Sequence, residues 1–451
     1  MNAHSNSPSH TQRPRALSRL AIGALLALGG ATGAQAQSLV ELYEAARGFD
    51  ATYLSARAQF DASQAKAAQA RAGLLPQTGL AAAANWARRD SSAAALEGTS
   101  NSQSVALSAS QPLYRPANQL ANDQAQLSID IAKAQLESAE QDLIVRTTQA
   151  YFDVLAAEDT LTFVKAQKTA VSEQLAAAKR NFEVGTTTVT DSREAQARFD
   201  LVLAQEIAAE NDLRVKKLAL DQLVGKSGVA PKPLAAPVAL PALTPADPQV
   251  WVAQAETRHP AVLQATKGLE IAQLETRKAE TGHQPTLDLV GQYQVARAPT
   301  TGFPNNVRTN TASVGLQFNI PLYTGGAVQN RIKETLALEE KARTDLQAAQ
   351  RGVSQATRAA YFGVLSGQGQ VKALEAAEAS SQSALDANKL GYQVGVRINI
   401  DVLNAQSQLF QTKRDLAVAR YNVLLGGLRL KQASGQLAAQ DLQVVNGLLQ
   451  K

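Results

Sequence analysis

A mainly α-helical protein that also carries membrane β-strands is the fold class this 451-residue sequence predicts. Three observations predict it. A unit of roughly 200 residues occurs twice. Each copy contains two segments with apolar–polar alternation, weaker in the Ala-rich segment 77–88. Each copy then runs into Pro-free helical stretches far longer than a globular domain uses.

The duplication rests on matched positions. Ala150-Tyr151-Phe152-Asp153-Val154-Leu155 recurs as Ala360-Tyr361-Phe362-Gly363-Val364-Leu365, an offset of 210. Val184-Gly185 meets Val394-Gly395 at that offset, as do Asp191 with Asp401 and Gly225 with Gly435. Upstream the offset becomes 209, where Pro112-Leu113-Tyr114 meets Pro321-Leu322-Tyr323. Copy one spans 37–225 and copy two 249–435, with a tail at 436–451. The join at 226–248 holds six of the 16 prolines and reads as an extended linker.

Each copy opens with helix. Ser38-Leu39-Val40-Glu41 reads as a capping box, and Asp247-Pro248 as an N-cap followed by Pro at the first helical position. Helices of about 20 residues follow at roughly 51–73 and 261–281. Next come strands at about 77–88, 103–113, 286–297 and 311–322. Val105, Leu107, Ala109 and Leu113 alternate with serines, and Val314, Leu316, Phe318, Ile320 and Leu322 alternate with Ser313, Gln317 and Asn319. Their length suits a tilted membrane-spanning strand. Polar segments 89–102 and 298–310 read as the connecting loops.

The long helical stretches are 118–183 with 190–225, and 327–393 with 400–435. At 1.5 Å per residue the longer ones reach roughly 100 Å, which implies a coiled-coil-like array. Gly185 and Gly395 supply the left-handed stop after Val184 and Val394. Each hairpin therefore turns there.

Residues 1–36 form a leader: Arg13, Arg15 and Arg19, the apolar run Leu20 to Leu28, then Ala34-Gln35-Ala36 as a cleavage signal after Ala36. The formal charge of +5 comes from 44 Lys and Arg against 39 Asp and Glu. The leader holds three of those Arg and no acid, so the mature chain is near +2 and a nucleic-acid partner loses its support. The absence of cysteine excludes disulfides, thiolate metal sites, a thiol nucleophile and a lipidated N-terminal Cys. His259 and His283 have no metal-ligand spacing, and no phosphate loop or Ser/His constellation points to an enzyme or a cofactor.

Four amphipathic strands cannot close a membrane barrel, because about eight is the smallest, and lipid tolerates no open edge. Strands that enter a membrane must therefore be shared between chains. Two chains give eight strands around a plugged interior; three give twelve and leave a pore.

The order and its motifs resemble the TolC-like outer-membrane efflux and secretion channels. The matching motifs are Leu74-Leu75-Pro76-Gln77, Gln111-Pro112-Leu113-Tyr114, Ile320-Pro321-Leu322-Tyr323-Thr324-Gly325-Gly326, and Gly391-Tyr392-Gln393-Val394-Gly395-Val396-Arg397 leading into Asp401-Val402-Leu403-Asn404-Ala405. The resemblance implies a homotrimer with a twelve-stranded outer-membrane barrel in outer-membrane lipid and a long α-helical barrel crossing the periplasm. It implies a passive duct, with a periplasmic adaptor (membrane fusion) protein and an inner-membrane transporter of the ABC or RND type as partners, and no enzyme.

Carried over motif by motif, the resemblance places a periplasmic gate network at Thr190, Asp191, Tyr392 and Arg397. It places a lumen constriction at Asp401 and Asn404, and adaptor docking at the tips Val184, Gly185, Val394 and Gly395. The second constriction position is usually acidic in such channels and is Asn404 here; Glu194, its repeat mate, is a candidate to restore charge. An Asp at a helix start can equally be a plain cap, Tyr392 a packing aromatic and both histidines helix-end residues. The competing readings are a periplasmic adaptor, which lacks four membrane-length β-segments, and a coiled-coil surface protein without channel activity.

Overall fold

Residues 37–90, 98–235, 237–238, 240–299 and 306–450 are described in the computed structural model. The expected leader and its cleavage point lie outside them.

Helix α1 (Leu39–Phe49) begins with the capping box: Glu41 N donates to Ser38 Oγ, and Ser38 N donates to the Glu41 carboxylate. Asp50 then caps α2 (Ala51–Ala72), accepting from Tyr53 N at 2.8 Å. Strands β1 (Gln77–Arg89) and β2 (Gly98–Tyr114) lead to the long helices α3 (Pro116–Glu183) and α4 (Val189–Val224). After the Pro-rich join come α5 (Pro248–Arg258), α6 (Pro260–Glu280), β3 (Thr286–Ala298), β4 (Val307–Asn319), α7 (Ala327–Gln393) and α8 (Asn399–Ala433), with a short α9 (Asp441–Asn446) near the end. Asp247 caps α5 through Gln249 N, and His259 caps α6 through Ala261 N.

The strands form one antiparallel sheet in the order β1-β2-β3-β4. The register separates two faces. Leu80, Leu107, Tyr293 and Ala312 form one cross-strand row; Ala82, Val105, Val295 and Asn310 form the next. Leu289 with Leu316, and Leu287 with Phe318, extend the same apolar face towards the helices. The opposite face carries Gly79, Ser108, Gln292 and Ser313 in register. An apolar face with most of its large side chains exposed in the single chain fits lipid on one side and water on the other.

Three strand ends differ most from the sequence expectation. β2 and β4 start at Gly98 and Val307, so polar residues 98–102 and 307–310, expected in loops, lie in the ladder. Backbone pairing to Asn85–Arg89 and Val295–Ala298 holds them there, whatever their side chains. β4 also stops at Asn319, so Ile320 and Leu322 fall outside it. Asn319 pairs with Thr286, the first residue of β3, and Pro321 has no N–H to continue the ladder.

The main core sits midway along the long helices. Leu39, Leu42 and Tyr43 of α1 pack with Leu143, Ile144, Tyr151 and Leu155 of α3, Leu220 of α4, Leu424 of α8 and Leu442 of α9. The recurring Ala-Tyr-Phe motif has a local reason here. Tyr151 donates to Lys232 O at 2.8 Å, and Tyr361 donates to Ala246 O, so each phenol fastens one stretch of the join. At the sheet–helix junction, Arg115 grips Asp288 through two bonds of 2.8 and 2.6 Å. Asp288 is buried while Arg115 is half exposed, so removing Arg115 would leave a buried carboxylate without its cation, at a cost that solvent reaching the site reduces.

Candidate functional site

The α3–α4 and α7–α8 turns lie beside one another at the end of the molecule opposite the sheet. Both are built by the same backbone device. α3 ends at Glu183, and Gly185 takes φ 79°; Gly185 N and Thr186 N then return to Phe182 O and Asn181 O. α7 ends at Gln393, and Gly395 takes φ 80°; Val396 N returns to Gly391 O at 2.9 Å. Only residues that accept a left-handed conformation without strain suit these positions. Val184 and Val394, the residues just before them, are exposed.

The two turns then diverge. In the first, Thr188 caps α4 and Asp191 completes a capping box, its carboxylate accepting from Thr188 N at 3.0 Å and Thr188 Oγ1 at 2.8 Å. Thr190 lies against Thr188 through their hydroxyls. In the second, the N-cap is Ile398, which offers no side-chain oxygen. Asp401 is therefore free of capping and stands 3.7 Å from Arg397. The Arg397 stem lies over Gly391, where an added Cβ would come within 2.6 Å of its Cγ.

Tyr392 bonds across the two hairpins, but not to Asp191. Its phenol oxygen accepts from Asn181 Nδ2 of α3 at 3.1 Å. Among the described residues, no hydrogen bond or ion pair joins any two of Thr190, Asp191, Tyr392 and Arg397 within the chain. The structure thus brings Tyr392 to α3 and Arg397 to Asp401, and leaves Asp191 to its own cap.

Asn404 of α8 accepts from Arg198 Nη2 of α4 at 2.8 Å. Glu194 is exposed one turn before Arg198 and has no ion-pair partner among the described residues. Arg198 was not singled out by sequence reasoning; its spacing of four from Glu194 is the only signal, and it does not identify a partner on another helix.

A second missed set lies above Tyr392. Gln167, Gln174 and Asn181 recur every seven residues along α3, a heptad seam with amides where apolar residues usually sit. They meet Ser407, Asn399 and Tyr392 in turn. Asn399 and Gln406 are buried, and Asn399 Nδ2 and Gln406 Oε1 have no partner among the described residues. Amides left half-satisfied hold helices less firmly than an apolar seam.

Sequence comparison places this arrangement. The profile of a family described as "Outer membrane efflux protein" matches residues 42–226 and 251–436. The chain belongs to that family. It is 34% identical over 413 residues to outer membrane protein TolC of Vibrio cholerae, covering 91% of this chain and 93% of that one. It is 29% identical over 432 residues to the proteases secretion protein PrtF of Dickeya chrysanthemi, covering 93% and 92%. The fold is that of the outer membrane protein VceC of Vibrio cholerae, with TM-score 0.75, 19% identity and coverage of 88% and 96%. The outer membrane channel MtrE of Neisseria gonorrhoeae, solved in its open state, gives TM-score 0.72 at 19% identity, covering 89% and 90%. Family membership places the chain in the outer membrane.

Proposed function

We propose that three copies of this chain form an outer-membrane exit duct that passes cargo passively from periplasm to exterior. The observation that carries the reading is the sheet. It has one apolar face, one polar face and two bare edges, and it continues into helices about 100 Å long. β1 runs away from the helices and β4 runs back towards them, so β4 of one copy pairs antiparallel with β1 of the next. Twelve strands close such a barrel around a pore. Exposed Leu201, Val215 and Leu218 on α4, at a, a and d positions of one heptad frame, supply a seam for a neighbouring copy. An internal duplication underlies the reading, supported by the two profile matches and the 210-residue offset.

At rest the tips are closed by Tyr392 and Arg397, with Asp191 and Thr190 acting between copies. Asp401 lines the narrowest point as a ring of carboxylates beside Asn404. The exposed tips at Val184–Gly185 and Val394–Gly395 receive a periplasmic adaptor, which an inner-membrane ABC or RND transporter energises. Relatives named for protease secretion and for efflux support both kinds of cargo. The amphipathic sheet speaks against a periplasmic adaptor, and the same sheet gives a coiled-coil surface protein no role.

Planar-bilayer recording of the detergent-purified protein tests this. Discrete channel openings, with a heat-modifiable band at three times the chain mass, are expected. A protein soluble without detergent, or one that never conducts, would sink the reading.

A further inference from the structure

We infer that the apolar face of the sheet holds a binding site for a phosphate group of an outer-leaflet lipid, built by Arg297 and Arg308. The inference rests on the proposed membrane barrel.

The two arginines are direct cross-strand partners on β3 and β4. They share the face of Val105, Val295, Leu107 and Tyr293, one row beyond the aliphatic rows. Like charges placed directly opposite destabilise a strand pair unless something neutralises them. Both side chains are exposed, and neither has an acidic partner among the described residues. Arg88, farther out on β1, differs: Asp90 stands 3.4 Å from it.

The surroundings select the ligand. A cavity of about 540 Å³ is lined by Arg297 and Arg308 together with Gln103, Ala84, Val105 and Val295. It is therefore cationic at the loop end and apolar towards the helices. Trp86 stands exposed one row farther out, the depth at which tryptophans mark a membrane–water boundary. The helices lie at the opposite end of the sheet, so this row belongs to the outer leaflet. Two guanidinium forks lining one cavity match a phosphate monoester, and the aliphatic rows beneath receive acyl chains. A phosphorylated glycolipid headgroup meets both demands. A free phosphate meets only the first.

The test uses the full-length trimer in nanodiscs containing bis-phosphorylated lipid A, with retained lipid counted by native mass spectrometry. Wild type should retain lipid A, should retain dephosphorylated lipid A poorly, and should not lose its lipid to excess inorganic phosphate. R297Q with R308Q should lower retention roughly tenfold, as expected for lost charge-assisted contacts. R297K with R308K should fall between the two, because the charge remains and the forks are lost. Single-channel conductance is recorded on the same preparations. Equal retention by wild type and the double Gln variant, with normal conductance in both, overturns the lipid site alone. Loss of bound lipid to inorganic phosphate overturns the lipid assignment. A wild type that never conducts removes the barrel reading and the lipid site with it.

Discussion

The two hairpin tips share a backbone and differ in their chemistry. Val184-Gly185 and Val394-Gly395 end their helices with nearly identical left-handed glycines, and an Asp follows six residues after each Gly. Between them the first tip has Thr186, Thr187 and Thr188; the second has Val396, Arg397 and Ile398. A hydroxyl at the N-cap absorbs Asp191. The sec-butyl side chain of Ile398 at the N-cap leaves Asp401 to face Arg397. One substituted cap therefore separates a structural carboxylate from an available one. Both tips expose apolar side chains, Phe182, Val184 and Val189 on the first and Leu390, Val394, Val396 and Ile398 on the second, but only in the second does the Asp face an Arg rather than its own cap.

The comparison breaks most visibly if the second tip loses its polar groups. Tyr392→Phe combined with Arg397→Ala should raise single-channel conductance several-fold and admit drugs, and Thr190→Val, which removes one hydroxyl of the proposed network, should raise it by less. Unchanged conductance in the double variant would argue against the gate assignment. The proposed constriction gives the next effect. Arg198→Gln removes the cation bonded to Asn404 and should shift the reversal potential towards cation preference; Glu194→Gln should shift it the other way. Identical reversal potentials in wild type and Arg198→Gln would remove Arg198 from the lumen.

Exchanging the caps sharpens the comparison on a smaller scale. Thr188→Val should cost about 1 kcal/mol by freeing Asp191, and Ile398→Thr should return a similar amount by capturing Asp401. Urea unfolding of the detergent-solubilised protein reads both, and equal midpoints for all three proteins would refute the cap argument. Titration gives the smallest effect, at the root the hairpins share. Burial opposes the Glu275 charge, yet bonds from Gln124 of α3, Arg331 of α7 and Lys278 hold its carboxyl at about 2. A depressed folded value means stabilisation present above the ordinary value of 4.5 and lost as pH falls towards 2. Glu275→Gln should flatten the stability profile across that window and leave both tips unaltered in hydrogen exchange.

The long helices and the four antiparallel strands are legible in the sequence because each rests on periodicity within its own segment. Pro-free stretches rich in Ala, Leu, Glu and Gln repeat at helical spacing, and Leu287 to Val295 alternate at a spacing of two. Gly185 and Gly395 are legible for the same local reason. Strand ends are less so: residues 98–102 and 307–310 look like loop, and their pairing depends on the neighbouring strand.

The candidate site divides along the same line. Sequence by itself determined the caps, the turns and the positions of Asp191, Tyr392, Arg397 and Asp401, since these follow from residues within one helical turn. Tertiary structure alone decided that Tyr392 meets Asn181, that Asn404 meets Arg198 and that Asn399 meets Gln174. Those partners lie some 200 residues apart. Their meeting depends on the rotation and axial offset at which α3 and α4 pack against the second hairpin, and the whole set of interhelical contacts fixes that offset rather than any one segment's pattern.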